Sequence, residues 1–460
     1  MRERDSDHNR RWVLPALFLV VFLTHGLSPI GTSSDSRWSV PLALSLLRER
    51  NTDLDEYHRD LKAHRFQGIQ CVGPEKQVSE SSPTEGCPPA SRAYYSYPIG
   101  ASVIAAPVLL ALDAALHVAG PPTLRLADRR LTPAMRCFFE RRYTECFALT
   151  ELVIASFVIA AATVAVYLTA RVYLSAGMAL LMAVLFAFAT PAYSTGSRAL
   201  WQHGPAMLVL ALALYLLTRG RERPSLNPWS AVPLTLAFFI RPLSGIWLVA
   251  SAFYLWSCCR TRLRSWLLLA ALTGAPFVLH NWLVYGTPLQ PYYLRQQFLP
   301  FSPASAPKFF SALAGHLISP SRGLLIFSPF LAFSLVGMVL AIKRGWAVPL
   351  PRYLMAGLAA HWLVISWFAD WPAGHCYGPR YFSDVTPVFL FFLIPWFQAR
   401  TKPAWAAAAF VALSLWSGFV HFRGAAHWDV YLWNADPRGA SPEHAWDWKD
   451  PQFLRGLVNP

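Results

Sequence analysis

The chain reads as an all-α polytopic membrane protein, a bundle of about 11 transmembrane helices, and three observations carry that reading. It is 55% hydrophobic with a mean hydropathy of +0.33 and only 14% charged residues. Its apolar residues fall into runs of bilayer-spanning length, and its basic residues gather in the short turns between them. In a soluble chain a net charge of +15 and a pI near 9.7 would suggest a polyanionic partner. Here topology accounts for the charge, and no nucleic acid is expected.

The first apolar run, residues 12–32, follows Arg2, Arg4, Arg10 and Arg11. The positive-inside bias therefore keeps the N-terminus cytoplasmic and delivers Ser33-Ser34-Asp35-Ser36-Arg37 to the opposite face. Its length of about 20 residues suits an anchor better than a cleavable signal, whose apolar region runs to about 7–15. Residues 38–47, broken by Pro41 and closed by Arg48-Glu49-Arg50, are too short to span and suit a juxtamembrane helix. Residues 51–97 are polar and read as an extramembrane loop.

At 98–118 the topology forks, because Arg125, Arg129, Arg130, Arg136, Arg141 and Arg142 follow. If that run spans, these arginines are cytoplasmic; if it is interfacial or re-entrant, they stay outside. Later turns decide for the second option. Helices at 148–171, 177–193, 204–218, 229–240, 243–258, 265–284, 324–342, 352–369, 385–399 and 404–421 then alternate correctly. Their cytoplasmic turns hold Arg171, Arg219 to Arg223, Arg260 to Arg264, Lys343-Arg344 and Arg400 to Lys402. The expected organisation is a transmembrane domain over 1–421 with a first outer loop at 33–147, and an outer C-terminal tail over 422–460 carrying Trp428, Trp433, Trp446 and Trp448. The expected location is the plasma (inner) membrane, multi-pass, with the chemistry extracytoplasmic and out of reach of cytoplasmic nucleotides. Cys71, Cys87, Cys137 and Cys146 all fall outside and permit two disulfides. The short closures 71 with 87 and 137 with 146 are favoured, although sequence does not fix connectivity.

On this topology the unusual polar residues converge on the outer face: Asp35 and Arg37, Arg198 with His203, Arg241 before Pro242, Arg322, and the segment from Asp370 to Asp384. An ionised residue near the bilayer costs about 2.5–3.5 kcal/mol on insertion scales, so Arg241 needs partners or an aqueous cavity. One carboxylate among several arginines suggests a reaction. Ordinary glycoside hydrolysis needs two carboxylates, one of them to protonate the leaving alcohol. A phosphate leaves as a stable anion, so arginines replace the acid and a single base suffices.

These residues also carry a resemblance. Ser33-Ser34-Asp35-Ser36-Arg37 and Tyr97-Pro98 in the first loop, Arg241-Pro242 in a helix break, and Tyr377-Gly378-Pro379-Arg380-Tyr381 before a late helix resemble the GT-C superfamily of integral membrane glycosyltransferases. The layout is similar to protein O-mannosyltransferases and lipid A aminoarabinose transferases, which use polyprenyl-phosphate sugars. The resemblance implies that Asp35 is the catalytic base of an inverting transfer. Arg37, Arg198, His203, Arg241, Arg322, Arg380 and Tyr97 would then bind substrate. A polyprenyl-phosphate sugar would be the donor, a lipid, glycan or protein the acceptor, and no cofactor is implied. Where many relatives carry an adjacent acidic pair, Ser36 follows Asp35 here, which points to a metal-free mechanism.

Each candidate has a plainer alternative. Asp35 can cap a helix, Arg37 can snorkel, and Arg241 can tie down carbonyls freed by the break. His203 beside Trp201 can be a satisfied interfacial histidine, and Arg322 and Arg380 can serve turns or loops. Lys308 and Arg295 are weaker candidates, and His375-Cys376 has no further ligand at metal spacing. The rival function is a transporter or flippase of an anionic lipid or solute. The helices at 148–171 and 204–218 have almost no buried polar groups, which favours chemistry at one face. A non-catalytic scaffold leaves the cost of Arg241 unexplained.

Overall fold

In the computed structural model, residues 2–31, 34–294, 298–300, 302–343 and 349–458 are described, without the side chains of 2–11 and 128. Ser33, Arg295 and Arg344 lie outside the described residues, as do the side chains of Arg2, Arg4, Arg10 and Arg11. The molecule is 68% helical, so the all-α class stands despite one small sheet.

Helix α1 (Arg2–Gly26) leads into the Asp35 turn, followed by α2 (Ser39–Arg48) and the short α3 (His58–Ala63). The segment expected as a polar loop then folds into an antiparallel sheet, β1 (Ile69–Val72), β2 (Val78–Glu80) and β3 (Arg92–Tyr95), in the order β2-β1-β3. Trp38, Leu54, Leu61, Phe66 and Tyr95 form a separate apolar cluster beneath it. A disulfide joins Cys71 on β1 to Cys87, 16 residues on. Closing a loop of that size is worth about 3 kcal/mol. Replacing Cys71 and Cys87 together by Ser is therefore expected to make the 58–95 region cleavable by protease in the otherwise folded protein.

The second expected disulfide is corrected: Cys137 and Cys146 are free thiols. Both donate to the same carbonyl, that of Arg142, at 3.1 and 3.3 Å, where the chain turns through Arg141 in the left-handed region (φ 65°). Burial, with Cys137 beside it, pushes the Cys146 thiol up to about 12.

The 98–118 run is part of a longer helix, α4 (Gly100–Ala127), and after α5 (Pro133–Phe139) comes α6 (Phe147–Arg171). Helix α4 has 28 residues, about 42 Å of helix, so its length and apolarity are those of a membrane span as much as of an interfacial helix. Helix α6 is 72% buried in its most apolar stretch, and the expectation of almost no buried polar groups there is corrected, since Thr150, Glu151, Ser156, Thr163 and Thr169 are all buried. It packs on α1, α7 (Ala176–Phe188) and α8 (His203–Arg219), which cover it on several sides. The chain continues through α9 (Ala231–Ile240), α10 (Gly245–Cys258) and α11 (Arg260–Tyr285). A helix not expected from the sequence, α12 (Ala306–Ile318), precedes α13 (Leu324–Phe327) and α14 (Ala332–Lys343). The single helix expected at 324–342 is thus split, since Pro329 supplies no N–H to continue the ladder. Helix α15 (Leu350–Ser366) is followed by α16 (Thr386–Phe391) and α17 (Leu393–Phe397), which divide the run expected at 385–399. Last come α18 (Ala404–Ala426) and, in the tail, α19 (Asp429–Leu432) and α20 (Pro442–Ala445).

Among the described residues α4, α6, α11 and α18 are long and apolar enough to cross a membrane. The most apolar stretch of α11 is only 17% buried, and it presents Leu268, Leu272, Leu279 and Leu283 outward. An apolar surface of that extent suits lipid and not water.

Candidate functional site

Asp35 lies in the turn between α1 and α2. Tyr95 of β3 donates to its backbone carbonyl, and the neighbouring Ser36 hydroxyl donates to buried Glu151 of α6 at 2.9 Å. Those two anchors fix the carboxylate, whose Oδ2 lies 3.0 Å from Arg380 Nη2. Its side chain is 33% exposed, against 1% for Asp384 behind it, so of these two acids Asp35 is the one that solutes reach. Tyr97 stands beside it. Burial first, and the Asp35 charge second, hold the Tyr97 phenol above its ordinary value, so it stays a proton donor.

Arg380 is held on every side. Its Nε–H donates to His203 Nε2 at 3.0 Å, its Nη1 to the Ala373 carbonyl at 3.3 Å, and its plane lies over the Trp201 ring at 4.5 Å. Burial, the largest single influence, opposes the charged guanidinium, but the Asp35 carboxylate together with Cys376 and Tyr381 holds Arg380 above its ordinary value. Gly378 makes the preceding turn possible: its φ is +65°, and a Cβ there would meet the Phe327 ring at 2.7 Å.

Arg241 separates α9 from a 3-10 turn over Pro242–Ser244, with φ −142° and ψ 122°, the extended conformation a following proline imposes. Its Nε lies 2.9 Å from Asp384 Oδ2, and its Nη1 lies 2.8 Å from His203 Nδ1. His203 Nδ1 is 2.6 Å from Asp384 Oδ1. Because Arg380 donates to Nε2, the ring proton is assigned to Nδ1, where it faces Asp384. For Asp384, burial favours the neutral acid, yet Arg241 and His203 hold it below the ordinary carboxylate value. It is therefore an anion.

Asp35, Tyr97, Arg241 and Arg380 line one cavity of about 650 Å³, together with Trp201, Tyr292, Asp370, His375 and, from the tail, Trp428 and Asn434. His203 stands behind its wall, buried with Asp384.

The other expected substrate contacts lie elsewhere. Arg198 is buried against α1, donating to the carbonyls of His25 at 2.8 Å and Ile30 at 3.4 Å. Its work is to close the C-terminal end of α1, whose last carbonyls lack helical partners. Arg37 contacts His64 and lies over the Phe147 ring at 5.0 Å. Arg322, 1% exposed, donates to the carbonyls of Pro372 and Gly374 and to the side chains of Gln452 and Asn434. It fastens the tail to the loop that carries Asp370 and His375. Arg322→Leu is expected to cost about 3–5 kcal/mol, the scale for breaking a buried charged network. A lowered melting temperature and early proteolysis near residues 436–455 would register it.

Asp436, His444 and Asp450 place ligand atoms within 4.8 Å of one another. Arg438 and Arg455 already pair with these carboxylates, at 2.9 Å to Asp436 and 2.6 Å to Asp450 respectively, so the cluster is an ion-pair knot that stiffens the tail.

Sequence reasoning placed Asp370 and Asp384 on the outer face without giving either a role, and missed Glu151. The available signal for Asp384 was an acid directly before the apolar run at 385–399, since such an acid demands a cationic partner. Compared with family models, curated proteins and solved structures, the chain matches none.

Proposed function

We propose that the protein is an inverting membrane glycosyltransferase that moves a sugar from a polyprenyl-phosphate donor to a lipid, glycan or protein hydroxyl. In this reading it spans the plasma (inner) membrane about 11 times in a GT-C-like bundle, N-terminus cytoplasmic, with the cavity extracytoplasmic. The observation that carries it is the cavity wall: a reachable carboxylate, Asp35, 3.0 Å from Arg380, with Arg241 beside them and a second exposed acid, Asp370, on the same wall.

Two guanidiniums suit a lipid phosphate, because their planar N–H groups match its oxygens and they never deprotonate. A second feature suits the tail. An apolar groove of about 590 Å³ runs between α12 and α15, lined by Leu299, Phe309, Phe310, Leu363, Val364 and Trp367. The adjoining Phe368 contacts Tyr381 of the cavity wall at 5.3 Å between ring centroids. A prenyl chain in the groove would thus bring its phosphate to Arg380.

The chemistry follows. Asp35 takes the proton of the acceptor hydroxyl as its oxygen bonds to the anomeric carbon. The carbon–oxygen bond to phosphate breaks, its electron pair stays on the phosphate, and Arg380 and Arg241 neutralise the developing charge. Attack opposite the leaving group inverts the anomeric centre. Without donor, Asp35 is occupied by Arg380; a phosphate competes for that guanidinium and frees the base, so proton abstraction waits for the donor.

The test is the purified protein in lipid nanodiscs with a panel of decaprenyl-phosphate hexoses and membrane-extract acceptors. Release of decaprenyl phosphate coupled to acceptor labelling supports the reading. Failure to bind any of these donors, with solute or lipid movement in proteoliposomes that depends on Arg241, would replace it with the transport reading.

A further inference from the structure

Asp384 does not touch the cavity, yet it governs both cations that do. Its carboxylate accepts from His203 Nδ1 at 2.6 Å and forms an ion pair with Arg241 Nε at 2.9 Å, and His203 passes the constraint to Arg380 Nε at 3.0 Å. Three separate parts of the chain meet there: the start of α8, the break after α9, and the turn before α16. A guanidinium is planar, so tying down Nε of Arg380 leaves its Nη edge aimed at Asp35.

The same carboxylate sets the charge of the site. Arg241 and Arg380 contribute two positive charges, their paired acids Asp384 and Asp35 two negative ones, and His203 in the assigned tautomer is neutral, while Asp370 adds a further acid to the cavity wall. The two arginine–aspartate pairs are therefore balanced, and neither guanidinium is unopposed. A phosphodiester donor brings one negative charge, whereas the product, a phosphate monoester, carries close to two at neutral pH. A site with two unopposed guanidiniums would hold the product more firmly than the donor.

We infer that Asp384, acting through His203 and Arg241, is a positioning residue and counter-charge that aims the two cavity arginines and keeps them from trapping the lipid-phosphate product. This rests on the proposed glycosyl transfer, and the experiment separates the two. Farnesyl phosphate serves as the product probe and farnesol as its uncharged control, with binding measured by calorimetry on the whole protein in nanodiscs.

Wild type should bind farnesyl phosphate and not farnesol. Asp384→Asn should bind farnesyl phosphate about tenfold more tightly, because one opposing charge a few ångströms away is gone, while turnover of the donor falls about 10- to 100-fold. Damage that merely loosened the fold would weaken both. His203→Gln keeps every formal charge but loses the ring geometry, so its affinity for the probe should stay within about threefold of wild type while turnover falls. That variant also keeps the idea testable if Asp384→Asn does not fold: probe affinity rising tenfold in His203→Gln would overturn the charge argument. Probe binding by wild type with no gain in Asp384→Asn would overturn this inference alone. Absence of probe binding by wild type would remove the glycosyltransferase reading and this inference with it.

Discussion

Asp35→Asn is expected to lower sugar transfer by about 10³-fold or more, with insertion, folding and donor binding preserved. The asparagine keeps the size of the side chain and can still accept from Arg380, but it cannot take the acceptor's proton. A general base contributes about 10² to 10⁴ in rate. Asn is also no counterion for Arg380, so the variant should bind the donor at least as tightly as wild type. That combination, rate lost with affinity kept, is what distinguishes a base from a fold-supporting acid, and transfer assays with donor titrations read both. Transfer within a few-fold of wild type would dismiss Asp35 from the chemistry.

Arg380→Gln carries the second large effect. Losing a charge clamp on a departing oxyanion costs about 10²–10³ in rate, and donor affinity should fall as well, since in the proposed mechanism the guanidinium contacts phosphate before and during transfer. Arg380→Lys should recover only part of it. The ammonium restores the charge but has no Nε–H for His203 and no planar edge for Asp35 and the Ala373 carbonyl together. Equal activity in Arg380→Lys and wild type would show that only net charge matters there. Single-turnover rates and donor titrations on both variants decide it.

The sequence was informative where a single physical property repeats along it. Apolar runs located α6, α8, α11 and α18 to within a few residues, because burying or lipid-exposing about 20 consecutive residues leaves a mark that needs no tertiary knowledge. The sheet left no such mark. Its strands are three or four residues long and β1 is buried on both faces, so no alternation of polar and apolar residues betrays it. Helix α12 hid in a stretch opened by Ser302, Pro303, Ser305 and Pro307, which reads as loop until its Pro307 is seen in the first turn, where proline is tolerated.

Among the candidate cations, Arg198, Arg241, Arg322 and Arg380 look alike on paper: each is an isolated charge at the edge of an apolar run. Composition determined that such residues need partners, since a buried cation left alone is too costly to persist. The partners were decided only by packing. Arg198 found the carbonyls ending α1, and Arg322 found Gln452 and Asn434, more than a hundred residues further on. Arg241 and Arg380 share Asp384 and His203 and reach the same hollow as Asp35. The chain by itself determined an all-α membrane-type molecule and the requirement for its charges to be matched. Tertiary structure alone chose which charges match each other and which remain facing open space, because a partner's identity depends on distance through the fold, which local sequence does not encode.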